Sequence, residues 1–181
     1  NYDQLSIIYG QIADIFGRRA MPDNALQAYE YAERYAWKTK DTIKVLTFWG
    51  NKSNALINQG KIKEALHIKE VAAEGFRNMD DLQKAARILG LCIKWYAQQG
   101  EFEKAKSAMD EYEALSGYFT KDGDAKPGKE GYYHIKGTYF LQKGELDSAE
   151  HYFRKLQHCG TSRNDQYLAA WGLTQLYYDK M

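Results

Sequence analysis

The sequence predicts an all-α fold of stacked helix hairpins, and three observations carry that prediction. A six-residue corner recurs as Gly60–Ala65, Gly100–Ala105 and Gly144–Ala149, each reading Gly, polar, apolar, polar, polar, Ala. A weaker copy without the glycine, Ala20–Ala25, precedes them, and the closing alanines stand 40, 40 and 44 residues apart. Between corners, apolar residues recur at steps of three and four, and no stretch alternates long enough for a strand. Only two prolines occur in 181 residues, so long uninterrupted helices are allowed.

Taken in order, residues 2–17 read as a helix with Leu5, Ile8, Tyr9, Ile12 and Phe16 on one side. Pro22 suits the first turn of the next helix, 24–38, whose seam is Ala25, Leu26, Tyr29, Ala32 and Ala36. A third helix, 42–58, carries Val45, Leu46, Trp49, Leu56 and Ile57 and stops at Gly60. The fourth, 62–78, carries Ile62, Ala65, Leu66, Ile68, Val71 and Ala72. Asp80 or Asp81 is the N-cap of an unbroken fifth helix over 82–98, with Leu89, Ile93 and Tyr96 inward. The sixth, 102–116, uses Phe102, Ala105, Met109, Tyr112 and Leu115.

Residues 117–129, GYFTKDGDAKPGK, form the one long interruption. Tyr118 and Phe119 are expected to pack back on the preceding helix. Asp122 and Asp124 invite a calcium reading, but the loop lacks the full ligand spacing and its twelfth-position glutamate. Two more helices, 130–142 and 145–157, form the next pair. Ser162, Asn164 or Asp165 then caps a last helix from 166.

One such hairpin cannot bury its own apolar face, whereas stacked neighbours can. The small alanines at the crossings permit close backbone approach, and Ile62, Phe102 and Leu146 seal the corners. This pattern resembles the tetratricopeptide repeat (TPR) family. In the second unit it falls on Trp49, Lys52–Ser53, Leu56, Gly60, Ala65, Lys69 and Ala72. In the third it falls on Leu89, Cys92–Ile93, Tyr96, Gly100, Ala105, Met109 and Tyr112, and in the fourth on Tyr133, Lys136–Gly137, Phe140, Gly144, Ala149, Phe153 and Leu156. The first unit matches at Tyr9, Ile12–Ala13, Phe16, Ala25, Tyr29 and Ala32, and an incomplete fifth at Ala170, Leu173–Thr174 and Tyr177. Lys52, Lys69 and Tyr112 depart from the pattern.

The resemblance implies a right-handed superhelical stack of antiparallel helix pairs in a single domain over 1–181. Its repeats run over 5–41, 45–80, 85–117 and 129–161, with an incomplete unit at 165–181. The period near forty resembles the long-helix variety in bacterial regulatory proteins. The run over 132–156 also resembles repeats that precede the membrane span of some bacterial sensor kinases and transcriptional regulators. A periplasmic sensor region is therefore one expectation, with the cytoplasm the alternative. The first residue is Asn1 and the last, Met181, falls inside a helical pattern, so the chain reads as a portion of a longer protein.

In the TPR family the first helix of each pair lines the concave wall. Here that puts Asp14, Arg18, Asn51, Asn54, Asn58, Arg87, Lys94, Gln98, His134, Thr138, Gln142, Trp171, Gln175 and Tyr178 inward. Amides can pair with the backbone of an extended peptide. Arg87 and Lys94 would meet a carboxylate, and Trp171 and Tyr178 an apolar anchor. The expected partner is a protein or peptide in that groove. A structural spacer or homodimer arm, and a small-ligand sensor, are the alternatives.

Composition narrows the chemistry. A net charge of +1 calls for neither nucleic acid nor an anionic membrane as partner. Two cysteines are no disulfide framework; Cys92 sits in an apolar helical pattern and Cys159 near a helix end. His151, His158 and Cys159 lack the close ligand pairs of a zinc site. Neither a phosphate loop nor a catalytic constellation is present. No enzyme activity, metal or cofactor is expected. Trp37, Trp49, Trp95 and the tyrosines read as packing residues.

Overall fold

A computed structural model describes residues 1–179, and every described helix falls within a repeating pattern of hairpins. The helices are α1 (Tyr2–Arg18), α2 (Pro22–Lys38), α3 (Thr42–Asn58), α4 (Ile62–Asn78), α5 (Leu82–Gly90), α6 (Ile93–Gln98), α7 (Phe102–Leu115), α8 (Tyr132–Gln142), α9 (Leu146–Cys159) and α10 (Arg163–Asp179). The chain divides into two compact units, Asn1–Leu89 and Gly90–Met181. Among the described residues no helix is long and apolar enough to cross a membrane.

One turn is used six times. At the end of α3 the Gly60 N–H donates to the Ile57 carbonyl and the Lys61 N–H to the Leu56 carbonyl, both at 2.9 Å. That pair of bonds is the Schellman closure, which needs a left-handed residue just past the helix. The same pair closes α1, α2, α4, α6 and α8. The left-handed positions are Ala20, Lys40, Gly60, Asp80, Gly100 and Gly144, with φ between 54° and 81°. Turns inside α3/α4, α6/α7 and α8/α9 use glycine, and turns between pairs use Lys40 and Asp80. The between-pair turns end instead in aspartates that cap the next helix: Asp41 accepts from the Lys44 N–H and Asp81 from the Lys84 N–H, each at 3.0 Å.

In the first unit α1 packs on α2, α2 on α3 and α3 on α4. The corner alanines Ala25 and Ala65 are wholly buried. Ala13, Ala25, Ala28, Tyr29 and Ala55 form a core against Ile12, Phe16, Leu26 and Phe48. The buried face of α1 is not the expected aliphatic one. Ser6, Gly10 and Ala13 are buried while Ile8 is exposed. The cause is the Phe48 ring: a Cβ on Gly10 would lie 2.6 Å from it, so only a stripe of small residues admits α3 this closely. Val71 and Trp37, expected inside, are 40% and 49% exposed.

In the second unit the expected unbroken helix over 82–98 is interrupted at Leu91–Cys92. Gly90, a poor helix former, presses against Tyr112, whose ring occupies the space a Cβ would take at 2.1 Å. Leu91 is turned out to solvent, and the helix restarts from Cys92, which is buried. Phe153 on α9 is the hub of the rest. It is fully buried and its ring lies where Cβ atoms of Gly137 on α8 and Gly172 on α10 would be, at 2.5 and 2.4 Å. Removing such a ring from water stabilises the fold by about 1.5–3 kcal/mol. Ala105 and Ala149 are wholly buried at their crossings.

Helix α8 starts two residues later than expected, and α9 starts one residue later and ends two residues later. Helix α10 starts three residues earlier, because Ser162 and Asp165 form a capping box. The Asp165 N–H donates to Ser162 Oγ at 3.0 Å, and the Ser162 N–H donates back to the Asp165 carboxylate at 3.1 Å. In the long loop, Tyr118 and Phe119 do pack on Tyr112, with ring centroids 6.0 and 5.7 Å away. An isolated antiparallel bridge joins Phe119 and Ala125.

Candidate functional site

Three of the inward-facing amides meet two charged groups in the first unit. Asp14 and Arg18 lie one turn apart on α1. Asn51, Asn54 and Asn58 lie on successive turns of α3, a spacing of three and four that puts them on one helix face. Together with Gly17, Tyr29 and Ala55 they line a cleft of about 320 Å³. The close approach of α1 and α3 over Gly10 brings these two rows together.

Tyr29, buried on α2, forms the floor. Its hydroxyl donates to the Asp14 carboxylate. Burial, then the Asp14 hydrogen bond and charge, push the phenol well above the ordinary tyrosine range, while Arg18 opposes them. The hydroxyl therefore stays a donor, and Asp14 is held against the floor. Behind the α3 wall lies Lys69, only 1% exposed. Its ammonium donates to the Gly50 carbonyl at 3.2 Å and to Asn54 Oδ1 at 3.1 Å. The Asn54 oxygen thus already accepts one bond from within the protein, which leaves its amide N–H group as the donor without an internal duty. Chemically the cleft offers amide donors and acceptors, one guanidinium and one carboxylate, with an apolar strip at Ala55.

The remaining predicted residues do not join this cleft. Arg87 on α5 is half-buried and lies outside it. In the second unit, Lys94 and Gln98 stand on α6, His134, Thr138 and Gln142 on α8, and Trp171, Gln175 and Tyr178 on α10. Lys94 is half-buried, its ammonium 4.4 Å from the Trp95 ring centroid. His134 Nδ1 lies 3.1 Å from the Leu168 carbonyl. Burial holds its imidazole below the ordinary histidine range, the carbonyl contact opposes this, and the Lys94 charge adds to it. A neutral ring with Nδ1–H donating to Leu168 clips α8 to α10, a structural duty rather than a cationic contact. Gln98 and Gln142 are exposed, Thr138 and Gln175 half-buried, and Trp171 and Tyr178 are 49% and 76% exposed.

Two residues that hold the cleft's side chains in place escaped the sequence reading. Tyr29 fell in an apolar seam, though a buried tyrosine hydroxyl needs a partner, and Asp14 on the facing helix was available. Lys69 occupies a slot where the repeat pattern has a large apolar residue, and that departure was itself the signal. Among the described residues no group of three His, Cys, Asp or Glu side chains could hold a metal ion. Asp124 in the loop is instead paired with Lys155 at 2.6 Å.

No family model matches this sequence, and no curated protein matches it. Solved structures do resemble it. The nearly identical TPR-like repeats of a protein assigned as a kinesin light chain in Podosopora anserina superpose with a TM-score of 0.73 at 12% identity, over 98% of this chain and 87% of that one. The fold is a TPR-like helix-pair repeat of the α-solenoid class. A single-substitution variant of the same fungal protein gives a TM-score of 0.72 at 12% identity, over 96% and 86%. BtubC (BKLC) from P. vanneervenii gives 0.71 at 18% identity over 94% of this chain. The chain spans 65% of the length of BtubC. At these identities the likeness is one of fold.

Proposed function

We propose that this chain is a non-enzymatic protein-binding module that takes an extended peptide segment in the α1–α3 cleft. The observation that supports the reading is the convergence of Asn51, Asn54 and Asn58 with Asp14 and Arg18 around one cleft of about 320 Å³. Amide side chains satisfy both the N–H and C=O of a passing backbone without demanding a particular sequence. Arg18 adds a guanidinium fitted to a carboxylate. A pure spacer would fill that face with its own side chains or a second copy. Here the walls are polar and the Tyr29 floor lies below them.

The experiment is a selection of short displayed peptides on the chain, followed by affinity measurement with Asn51→Ala plus Asn58→Ala. Loss of roughly tenfold or more in affinity is expected, since two amides that each make backbone hydrogen bonds are removed. Equal affinity of both proteins for every selected peptide would end the reading.

A finer reading makes the module the sensory portion of a bacterial signalling or transcriptional regulatory protein. Its support is the resemblance of residues 132–156 to repeats found in such proteins. Sequencing the surrounding reading frame tests it: an adjoining kinase or DNA-binding domain is expected, and an unrelated enzyme domain would overturn it.

A further inference from the structure

The other face of α3 carries a second cleft, distinct from the amide-lined one. It measures about 260 Å³ and is lined by Glu33 on α2, Trp49 and Lys52 on α3, and His67, Ile68 and Val71 on α4. Trp37 stands edge-on to Trp49 with centroids 6.5 Å apart. Trp37 and Val71 are 49% and 40% exposed, so the cleft opens onto a joined apolar surface rather than scattered residues. Its volume falls just under the range of small-molecule sites, about 300–1,000 Å³, and suits one large side chain.

The rim has a sign. Lys52 Nζ lies 4.0 Å from Glu30 and 3.9 Å from Glu33, outside hydrogen-bonding reach of both. Neither glutamate accepts a side-chain hydrogen bond among the described residues. The neighbouring cations of α2 point elsewhere: Arg34 lies over the Tyr31 ring, and Lys38 over Tyr2 and Tyr35. Two carboxylates therefore face one ammonium beside the cleft, a local excess of negative charge.

We propose that this cleft docks a partner protein through a segment carrying one large apolar side chain with a lysine or arginine within a turn of it. The apolar group seats between Trp49, Ile68 and Val71. The cation bridges Glu30 and Glu33 at hydrogen-bonding distance, closer than Lys52 stands. This partner differs in chemistry from the extended backbone proposed for the amide cleft, and the two can be occupied or lost independently.

The test pans short random displayed peptides over the chain carrying Asn51→Ala and Asn58→Ala, which disables the amide cleft. Enriched peptides are synthesised with a fluorescein label and measured by fluorescence polarisation. The expected class pairs a large apolar residue with a nearby Lys or Arg and binds wild type equally well. Val71→Glu weakens it roughly tenfold or more. Glu30→Lys plus Glu33→Lys weakens it several-fold, and so does raising salt from about 0.05 to 0.5 M. Glu30 is 62% exposed on its side chain, so Glu30→Lys alone tests the charge without threatening the fold. The proposal is overturned if no peptide class is enriched, if the class lacks basic residues, or if Val71→Glu leaves its affinity unchanged. It is also overturned if sedimentation shows a dimer that Val71→Glu abolishes, because a second copy would then be the occupant.

Discussion

Gly50 and Gly60 stand ten residues apart, and the same substitution at each should have opposite effects. Gly50 lies inside α3, and a Cβ there would meet nothing within 4 Å. Replacing a helix-interior glycine by alanine removes backbone freedom from the unfolded chain and should stabilise by about 0.5–1 kcal/mol. Gly60 also has nothing within 4 Å of a built Cβ, but its φ is +77°. An L-residue there costs about 1–2 kcal/mol. The unfolded-state gain of about 0.4–1 kcal/mol offsets part of that, leaving Gly60→Ala destabilised by about 0.5–1 kcal/mol. No packing contact confuses either site, so the difference isolates the left-handed turn. Urea denaturation followed by circular dichroism reads both, and each kcal/mol corresponds to about 2–4 °C in Tm for a chain of this length. If Gly60→Ala matched or exceeded wild type in stability, the left-handed closure of the repeat would be refuted.

Lys40→Gly should do the reverse, stabilising by about 0.5–1 kcal/mol, because Lys40 already sits at φ 56°; a thermal melt checks it. Gly137→Ala and Gly172→Ala should each cost about 1–3 kcal/mol by overpacking Phe153, and Phe153→Leu should restore part of that loss in a double mutant. His134 is held below its ordinary pKa, so in the folded state it binds fewer protons than in the unfolded chain. Its contribution is therefore full above about pH 6.5 and falls as pH drops through its depressed folded value. Replacing it with Gln should flatten the stability change between about pH 7.5 and 5.5, measured by denaturation at each pH. Tyr132→Phe removes a 2.7 Å bond to Glu113, which Lys136 still holds at 2.6 Å, and should cost about 1 kcal/mol in urea denaturation.

The corners were legible because glycine announces a left-handed residue. Lys40, Asp80 and Ala20 adopt the same conformation without announcing it, and only the twenty-residue spacing from Gly60 and Gly100 betrays them. The break at Leu91–Cys92 was hidden by an apolar run that stays helical in period. Gly90 marked it, but the reason lies with Tyr112, more than twenty residues away. On α1, apolar size misled: Phe48 selects the smallest stripe rather than the greasiest. The amide row of α3 was readable from the repeat resemblance, which set Asp14 and Arg18 on the same inward side. That Tyr29 would hold Asp14, and that Lys69 would anchor Asn54 from behind, depended on helix contacts that no local pattern encodes. Trp37 and Trp49 were read as packing because aromatic residues in such repeats usually pack, and their outer cleft stayed hidden.

The most direct measurement is a ¹⁵N correlation spectrum of the chain titrated with a selected peptide, watching the side-chain amides of Asn51, Asn54 and Asn58. The account predicts that these three move together and saturate at the dissociation constant found by direct binding, with the Asn54 amide moving despite its bond to Lys69. Three unmoved asparagine amides beside clear shifts elsewhere would contradict it.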